Sequence, residues 1–322
     1  MEHVQLGTTG TRVSRICLGT MGFGSKQWRP WVVEEDEALP ILERALDLGI
    51  NFWDTADMYS QGESERIVGQ ALEGRRDEVV LATKVYHPMG EDPNARGLSR
   101  KHIRDAVLAS LERLDTGYID LYQVHRHDAD TPLMETLTTL SDLVDDGLVN
   151  YLGASTMWAH QFVRAHTLQQ ERGLHAYVTM QNHWNLLYRE EEREMVPYCR
   201  EQGVGLIPWS PLARGELAHA GAPRETTRAE SDAGTPFYAG QAAEEIKQRV
   251  AQLSEDKGVQ PAQLSLAWLL HQEGVTAPIV GVTKISHLEA AAEAVDLRLT
   301  DKDLAWLEEA YQPQAVRGWL RG

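Results

Sequence analysis

Four polar residues stand at or just past the ends of successive apolar runs, and together they could transfer a proton. They are Asp54, Tyr59, Lys84 and His125, in the segments INFWDTADMYS, EVVLATKVYHP and DLYQVHRHD. A tyrosine has an ordinary pKa of about 10, and a neighbouring cation lowers it. Lys84 can be that cation, Asp54 can hold it in place, and His125 can hydrogen-bond a substrate oxygen. The set predicts a general acid that protonates a carbonyl oxygen.

Each of these residues also has an ordinary structural interpretation when it is taken alone. Asp54 could cap a turn, Tyr59 could be half-buried packing, and Lys84 could be a solvated strand end. A single histidine at a strand end is more often structural than catalytic. Four compatible groups at the same ends of adjacent strands make coincidence improbable, so we favour the catalytic interpretation.

The elements that position these residues alternate between strand and helix. Eight apolar or β-branched runs predict strands: RICLG, INFWDT, EVVLATKV, YIDLYQVH, VNYLGAS, AYVTMQN, VGLIPWS and TAPIVGV. Amphipathic stretches predict helices at 34–48, 63–73, 99–114, 133–146, 157–172 and 189–202, then two within 243–273 and a last one beginning near Ser286. Eight such units predict an α/β fold, a closed (β/α)8 TIM barrel, whose chemistry lies at the carboxyl ends of its strands.

Two further segments complete the prediction of a single barrel domain over residues 1–322. The opening residues 4–14, with the turn signal TTGT, predict a β-hairpin that closes the bottom of the barrel. The irregular stretch at about 213–241, between the seventh strand and its helix, predicts a loop that covers a ligand rather than a domain boundary.

Composition argues against several classes of partner. The formal net charge of −17 disfavours nucleic acid and anionic membrane, because both bind through basic patches. No apolar stretch approaches the length of a membrane-spanning helix, and no basic region followed by an apolar run opens the chain. Only two cysteines, Cys17 and Cys199, occur in 322 residues, which is typical of a reducing cytoplasm. We therefore expect a cytoplasmic protein with small-molecule partners, monomeric by default.

Several segments resemble the aldo-keto reductase superfamily. They are NFWDTADMYSQGESERIVGQAL, VVLATKV, YIDLYQVHR, YLGAS and IPWSPLARG, and the likeness runs from LGTTGTRVSRICLGTMGFG to IVGVTKISHLEAA. Within the superfamily the chain is similar to bacterial aldo/keto reductases with a YREEEREMVPYC segment and a YQPQAV-type tail. Some members of that branch carry names linked to 1-deoxyxylulose 5-phosphate or to aryl alcohols.

The resemblance implies a role for each of the four polar residues. Tyr59 corresponds to the acid that protonates the carbonyl, Lys84 and Asp54 to the pair that lowers its pKa, and His125 to the group that orients the carbonyl. Hydride comes from a reduced nicotinamide. No metal is implied, because His125 and His127 lack a third ligand nearby.

The resemblance also implies a cradle for the nicotinamide dinucleotide, with NADPH preferred and NADH possible. The carboxamide falls to Ser155, Thr156 and Gln181, the ring to Trp209, the pyrophosphate to the SPLARG segment, and a 2′-phosphate to Thr283, Lys284 and His287. Relatives commonly carry Asn at Thr156, and Glu-Asn at Ala290 and Ala291. The full set is Thr20, Met21, Asp54, Ser155, Thr156, Gln181, Trp209, Ser210, Pro211, Leu212, Arg214, Gly215, Gly281, Thr283, Lys284, His287 and Ala291.

On the substrate side we expect Trp28, Tyr86 and Arg126, beside Met21, Tyr59 and His125. Tyr86 lies two residues after Lys84, so in an extended strand it would point the same way. Trp28 and Trp31 predict either an aromatic substrate wall or simple packing of their loop. Arg126 or Arg29 could engage an acidic substrate, although a surface salt bridge is the default for either. Trp319 could cover the pocket from the C-terminal tail.

The leading prediction is an NAD(P)-dependent aldo-keto reductase or alcohol dehydrogenase that reduces aldehydes and ketones or catalyses the reverse oxidation. One alternative is a nicotinamide-binding regulatory subunit resembling potassium-channel β-subunits, against which the complete set of four polar residues argues. Another is a sugar-phosphate enzyme on the same barrel, which Trp209 and the lack of metal-ligand spacing disfavour.

Overall fold

The structure is a computed structural model of residues 1–322 that describes residues 1–222, 226–232 and 234–316. Trp319, expected to cover the pocket, and parts of the expected covering loop at 213–241 lie outside the described residues.

Each of the eight apolar runs forms a strand, and the strands make one parallel sheet. Their bounds are β3 (Cys17–Gly19), β4 (Phe52–Asp54), β5 (Val80–Val85), β6 (Ile119–Val124), β7 (Val149–Ser155), β8 (Tyr177–Gln181), β9 (Gly205–Leu206) and β10 (Ile279–Gly281). The order in the sheet is β10-β3-β4-β5-β6-β7-β8-β9, so neighbours along the chain are neighbours in space. Short apolar runs separated by helices give this order because each right-handed crossover places the next strand alongside.

The sheet closes on itself between β9 and β10. Thr276 N donates to Leu206 O at 2.8 Å, and Ile279 N donates to Pro208 O at 2.8 Å. β10 pairs on its other side with β3. The predicted (β/α)8 TIM barrel is therefore confirmed.

The helices form the outer layer of the barrel. Their bounds are α1 (Glu35–Asp47), α2 (Glu63–Ala71), α3 (Arg100–Arg113), α4 (Leu133–Asp145), α5 (Ala159–Glu171), α6 (Met195–Gln202), α7 (Thr227–Ser231), α8 (Gln241–Lys257), α9 (Pro261–His271), α10 (Ile285–Glu293) and α11 (Asp301–Glu308). The sequence places the start of α6 at residue 189, but a separate 3-10 turn over Glu190–Arg193 precedes it. Pro197 lies in the first turn of α6, and its ring would clash with the carbonyl four residues earlier in a continuous helix.

Helix α11 was not expected from the sequence, although its start carries a capping signal. The Thr300 side chain accepts a hydrogen bond from Asp303 N, and the Asp303 side chain accepts one from Thr300 N. This reciprocal pair satisfies two backbone donors that a helix start leaves open.

The opening hairpin covers the N-terminal end of the barrel, as predicted. It comprises β1 (His3–Gln5) paired antiparallel with β2 (Arg12–Ser14). Leu6 and Val13 are buried in one cluster with residues such as Phe52 and Leu121 that lie on barrel strands. The hairpin turn lies against the first residues of β8 and β9, because an added Cβ at Gly7 would lie 2.3 Å from Val178 O. Apolar contact therefore closes the bottom.

The hairpin turn packs so closely against the barrel strands at Gly7 that no side chain fits there. Its φ is +57° and its Cα faces the barrel backbone. We expect Gly7→Ala to lower the free energy of unfolding by about 2–4 kcal/mol, because the left-handed backbone and the collision both disfavour a Cβ. Urea denaturation followed by tryptophan fluorescence measures the change. Gly10→Ala is the control, since nothing lies within 4 Å of its Cβ position; equal losses in the two variants would contradict this account of the plug.

Candidate active site

Adjacent strands deliver the four polar side chains to the carboxyl end of the barrel. Asp54 is the last residue of β4, and Lys84 lies near the end of β5. His125 follows directly after β6, and its backbone N–H still donates to Val85 O at 2.9 Å. Tyr59 reaches the same place from the loop after β4, with its ring centroid 5.9 Å from that of His125. All four predicted residues are therefore brought together.

The ammonium of Lys84 donates three hydrogen bonds inside this cluster. Its acceptors are Asp54 Oδ2 at 2.6 Å, Thr55 O at 2.8 Å and the Tyr59 hydroxyl at 3.2 Å. The side chain is fully buried, and an ammonium has three N–H groups. Burial lowers the pKa of Lys84, but the charges of Asp54 and Tyr59 and their hydrogen bonds outweigh burial and raise it. Lys84 therefore stays a cation, and its bond to Tyr59 uses the phenol oxygen as acceptor.

Asp54 joins four strands through its carboxylate. While Oδ2 receives Lys84, Oδ1 accepts from Gln123 Nε2 and from Gln181 Nε2, each at 2.9 Å. Gln181 also donates to Gln123 Oε1 at 3.1 Å. Both N–H groups of the Gln181 amide are thus used within the protein, which leaves its oxygen as the group that can meet a cofactor amide.

Gln123 belongs to this network and was missed from the sequence. It is fully buried on β6, two residues before His125. Alternation along a strand places residues i and i+2 on one face, so a glutamine inside the apolar run YIDLYQVH was the available signal.

The direction of the Tyr59 pKa shift corrects the sequence prediction. Burial raises the pKa of Tyr59 above 10.0, and the charge and hydrogen bond of Lys84 lower it by less. The charge of Asp54 adds to the rise. The phenol is buried, so the phenolate would lose more free energy of solvation than it would gain from the charge of Lys84. Tyr59 is therefore protonated at neutral pH and can donate its proton.

His125 is held neutral, and a second histidine packs against it. Burial, with the charges of Lys84, His87 and Arg126, lowers the pKa of His125 well below 6.5. The His87 ring lies 4.7 Å from it in an edge-to-face arrangement, and burial lowers the His87 pKa to about 4. His87 was not predicted as a site residue. The neutral imidazole of His125 can donate a hydrogen bond to a carbonyl oxygen without competing for the proton.

The extended backbone assumed for Tyr86 is wrong. Strand β5 ends at Val85, and Tyr86 has a φ of 155°. Its ring packs edge-on against His87, at 5.2 Å between centroids. The alternation of side chains along β5 therefore does not determine the orientation of Tyr86. Its ring still lies at the barrel mouth.

Strained backbone concentrates in the loops that follow the barrel strands. Among the described residues, seven non-glycine positions in these loops have positive φ: Ser60, Gln61, Tyr86, Thr156, Ser210, Ala213 and Arg214. Such conformations cost free energy and persist where surrounding contacts impose them, typically at ligand sites. The strain marks the same face of the barrel as the four polar residues.

On the expected nicotinamide side, an aromatic stack supports Trp209. The His183 ring lies parallel between Tyr188 and Trp209, with centroid distances of 4.0 Å and 4.1 Å. Trp209 Nε1 donates to Thr156 Oγ1 at 2.9 Å, and Ser155 Oγ lies 3.1 Å from the same oxygen. The indole is thus fixed beside Ser155 and Thr156, two of the residues expected to meet the carboxamide, and these residues fit a flat ring with an amide substituent.

Arg214 contacts an acidic partner inside its own loop. Its guanidinium donates to Asp232, which also accepts from Arg228 Nε at 3.1 Å. Burial raises the pKa of Asp232, but the hydrogen bond and charge of Arg214 outweigh this and lower it to about 2. In this structure the cation expected to meet a pyrophosphate is therefore paired with a carboxylate.

The adenosine end has three basic side chains near the start of α10. Lys284 precedes the helix, and His287 lies in its first turn. Burial and the charges of Lys284 and His219 lower the pKa of His287, so these groups are close enough to interact. His219 was not predicted. A helix N-terminus with basic side chains suits a phosphate.

Two of the residues expected at the cofactor site are buried and packed against their neighbours. Thr20 is fully buried, and its hydroxyl is engaged with Asp54 O and Ser64 Oγ. Ala291 is 2% exposed and belongs to the core beneath α10. The remaining residues of that set, all from segments that end or follow β3, β9 and β10, are Met21, Ser210, Pro211, Leu212, Gly215, Gly281 and Thr283.

Aromatic residues before α1 flank the acid. The Trp28 ring lies 6.5 Å from that of Tyr59, and the Arg29 guanidinium lies 4.3 Å from the Trp28 centroid. Trp31 is 8% exposed, so packing of the loop explains it, whereas Trp28 remains a candidate for the substrate wall. Arg126, the residue after His125, is a second cation on this side.

Within the described ranges, no three His, Cys, Asp or Glu residues are grouped so that they could hold a metal ion. None of the helices in the described part of the chain has the length and apolar character needed to cross a membrane.

Comparison with known proteins agrees with this geometry. The model of the aldo/keto reductase family matches residues 15–312. The chain is 44% identical to aldo-keto reductase dtxS3 of Metarhizium robertsii, over 99% of this chain and 93% of that protein. It is 43% identical to versiconal hemiacetal acetate reductase of Aspergillus parasiticus, over 98% of each. It is 42% identical to the aryl-alcohol dehydrogenase candidate C977.14c of Schizosaccharomyces pombe, over 97% of this chain and 96% of that protein. The chain is an oxidoreductase that belongs to the aldo/keto reductase family.

Proposed function

We propose that the protein reduces aldehydes or ketones to alcohols, or catalyses the reverse oxidation, with Tyr59 as the general acid and base. The observation that supports this most directly is the hydrogen bond from Lys84 Nζ to the Tyr59 hydroxyl at 3.2 Å. Since the ammonium donates to the phenol oxygen, the phenol proton is left for another acceptor. A carbonyl oxygen in front of Tyr59 would receive it.

Each residue of the cluster then has one task. Tyr59 gives its proton to the carbonyl oxygen, and Lys84 stabilises the phenolate that remains. Asp54 holds Lys84 through its 2.6 Å contact, and the neutral ring of His125 donates to the same carbonyl oxygen. A reduced nicotinamide supplies the hydride when bound. Trp209, steadied by His183, provides the flat surface for its ring.

We further propose that NADPH is preferred and that NADH can be used. Lys284, His287 and His219 carry positive charge or hydrogen-bond donors to the end of β10, which would favour a 2′-phosphate. Arg214 would exchange Asp232 for the pyrophosphate. Ser155 and the oxygen of Gln181 would meet the carboxamide.

The pH dependence follows from the pKa shifts. Reduction needs the protonated phenol, which is present below the pKa of Tyr59, and that pKa is raised above 10.0. Reduction should be constant from about pH 6 to 9, whereas oxidation, which needs the phenolate, should rise about tenfold per pH unit there. Initial rates in both directions measure this. A loss of reduction on passing pH 6.5 upward would contradict Tyr59 as the donor, because its pKa lies above that range and His125 and His87, whose pKa values lie below it, are already neutral there.

The reaction class is tested with a panel of aldehydes, ketones and secondary alcohols, monitored at the nicotinamide absorbance with NADPH and NADH in parallel. Quenching of intrinsic tryptophan fluorescence reports binding of each dinucleotide separately. We expect turnover of neutral aldehydes and stronger quenching by NADPH. Binding without turnover of any carbonyl or alcohol would favour a nicotinamide-binding regulatory subunit, and absence of quenching would remove the cofactor assignment.

Four finer points stay proposals. They are a single domain over residues 1–322, a monomer by default, a cytoplasmic location, and membership of a bacterial branch of the family. The relatives described above are fungal, so the branch rests on the sequence resemblance.

A further inference from the structure

Arg126 is half-buried, and among the described residues no acidic group forms an ion pair with it. Its Nε and Nη1 atoms are buried and have no hydrogen-bond partner among the described residues. Other arginines with little exposure are paired: Arg113 Nε lies 2.6 Å from Glu65 Oε2, and Arg76 Nη2 lies 2.7 Å from Asp120 Oδ2. A guanidinium keeps its charge at all working pH values, so burial without an anion is costly. The surface salt bridge expected for Arg126 is absent from the described part of the chain.

The position of this charge is the substrate side of the active site. It acts on the hydroxyls of Tyr59 and Tyr86 and lowers the pKa of both His87 and His125. Arg126 is also the residue next to His125 along the chain, just past β6. The cation therefore interacts electrostatically with the proposed acid, at the end of the barrel where Tyr59 would meet its substrate.

The phosphates of the cofactor are not suitable partners, because they are expected on the opposite side of the barrel. The residues proposed to hold them follow β9 and β10. In the closed ring of strands, β6 stands four places from β10, counted through β5, β4 and β3. In an eight-stranded ring that separation is a full diameter, and β9 stands three places from β6, counted through β7 and β8.

We propose that Arg126 binds an anionic group of the substrate, so that the preferred substrates are carbonyl compounds bearing a carboxylate or a phosphate. This inference rests on the proposed function of the same site. The anion would satisfy the N–H groups that the protein leaves open, through charge-assisted hydrogen bonds. Arg29 is the other cation near Tyr59, but its guanidinium lies over the rings of Trp28 and Trp31 and near the charge of Asp232, so it is already balanced in part.

The test compares matched aldehydes that differ in one anionic group. 4-Carboxybenzaldehyde is paired with methyl 4-formylbenzoate, and glyceraldehyde 3-phosphate with glyceraldehyde, so that the two pairs separate carboxylate from phosphate. We expect kcat/KM to favour the anionic member of at least one pair by about 10- to 100-fold, the range for a hydrogen bond to a charged group. The net charge of −17 would by itself disfavour the anion, so this preference has the opposite sign to the bulk effect.

Variants assign the preference to Arg126. Arg126→Gln should abolish the ratio between the two members of the pair, mainly through KM of the anion, and Arg126→Lys should retain part of it. Arg104→Gln is the control: it removes one positive charge from an exposed pair on α3 with Asp142 and Asp146, and it should leave the ratio unchanged. Dinucleotide binding, followed by fluorescence, confirms that each variant is folded.

The outcomes separate the two proposals. Turnover of neutral aldehydes with no preference for the anion, or a preference that survives Arg126→Gln, overturns the role of Arg126 and leaves the carbonyl reductase intact. If no carbonyl is reduced, calorimetric binding of 4-carboxybenzaldehyde and glyceraldehyde 3-phosphate to the wild type and to Arg126→Gln still decides the matter. Equal affinity of both proteins for both ligands would then refute anion binding.

Discussion

Tyr59→Phe is expected to lower kcat for carbonyl reduction by about 10²- to 10⁴-fold, the usual contribution of a general acid. The substitution removes one oxygen, and with it the acceptor of the 3.2 Å bond from Lys84. The other two bonds of the ammonium, to Asp54 and Thr55, remain. The fold and the cofactor cradle should therefore persist, and dinucleotide affinity, measured by fluorescence quenching, should change by less than about threefold.

Tyr122→Phe is the matched control for this prediction. Tyr122 is also fully buried, and its hydroxyl has no partner among the described residues. It lies on β6 in the outer core rather than in the catalytic cluster. Its removal should leave kcat unchanged and should not destabilise the protein. If Tyr59→Phe behaves like Tyr122→Phe, with turnover retained, the acid lies elsewhere.

Asp54→Ala is expected to lower the free energy of unfolding by about 3–5 kcal/mol, because it leaves a buried cation without its counter-charge. Lys84 is 0% exposed, and Asp54 Oδ2 is its nearest acceptor at 2.6 Å. The amides of Gln123 and Gln181 lose an acceptor at the same time. Carbonyl reduction should fall as well. The phenolate that remains after Tyr59 has given up its proton would then lack a correctly placed, charged Lys84 to stabilise it.

A double variant separates the two effects. Asp54→Ala combined with Lys84→Met removes both charges, so unfolding by urea should show part of the lost stability restored, while turnover stays absent. A loss below about 1 kcal/mol in Asp54→Ala would mean that water already solvates Lys84. Equal stability of the single and double variants would mean that the pair is not the source of the loss.

The parts of this molecule that could be predicted from sequence are those set by local pattern. Each of the eight strands is a short apolar run, and the polar residues that end β4, β7 and β8 lie at the barrel mouth because all eight strands are parallel. Pro197 could have corrected the start of α6, and the glutamine inside the sixth run could have suggested Gln123. These signals were present in the chain.

Other features depend on distances between segments and could not be predicted from any window of residues. The bond from Gln181 to Asp54 spans 127 positions. The approach of His87 to His125 depends on where β5 ends and on the φ of Tyr86. The pKa of Tyr59 depends on how deeply the phenol is buried relative to Lys84, and a neighbouring cation in the sequence gives only one of these two opposing contributions.

The carboxylate of Asp54 ties side chains from β5, β6 and β8 to the end of β4. The reactive groups are thus also part of the packing inside the barrel. A library of variants with random residues at these positions would therefore contain few folded proteins. Laboratory evolution of this scaffold is better directed at the segments around that layer, at 25–33, 86–98 and 126–131. Substitutions in these segments can change substrate selectivity without altering the residues that transfer the proton or the strands that close the barrel.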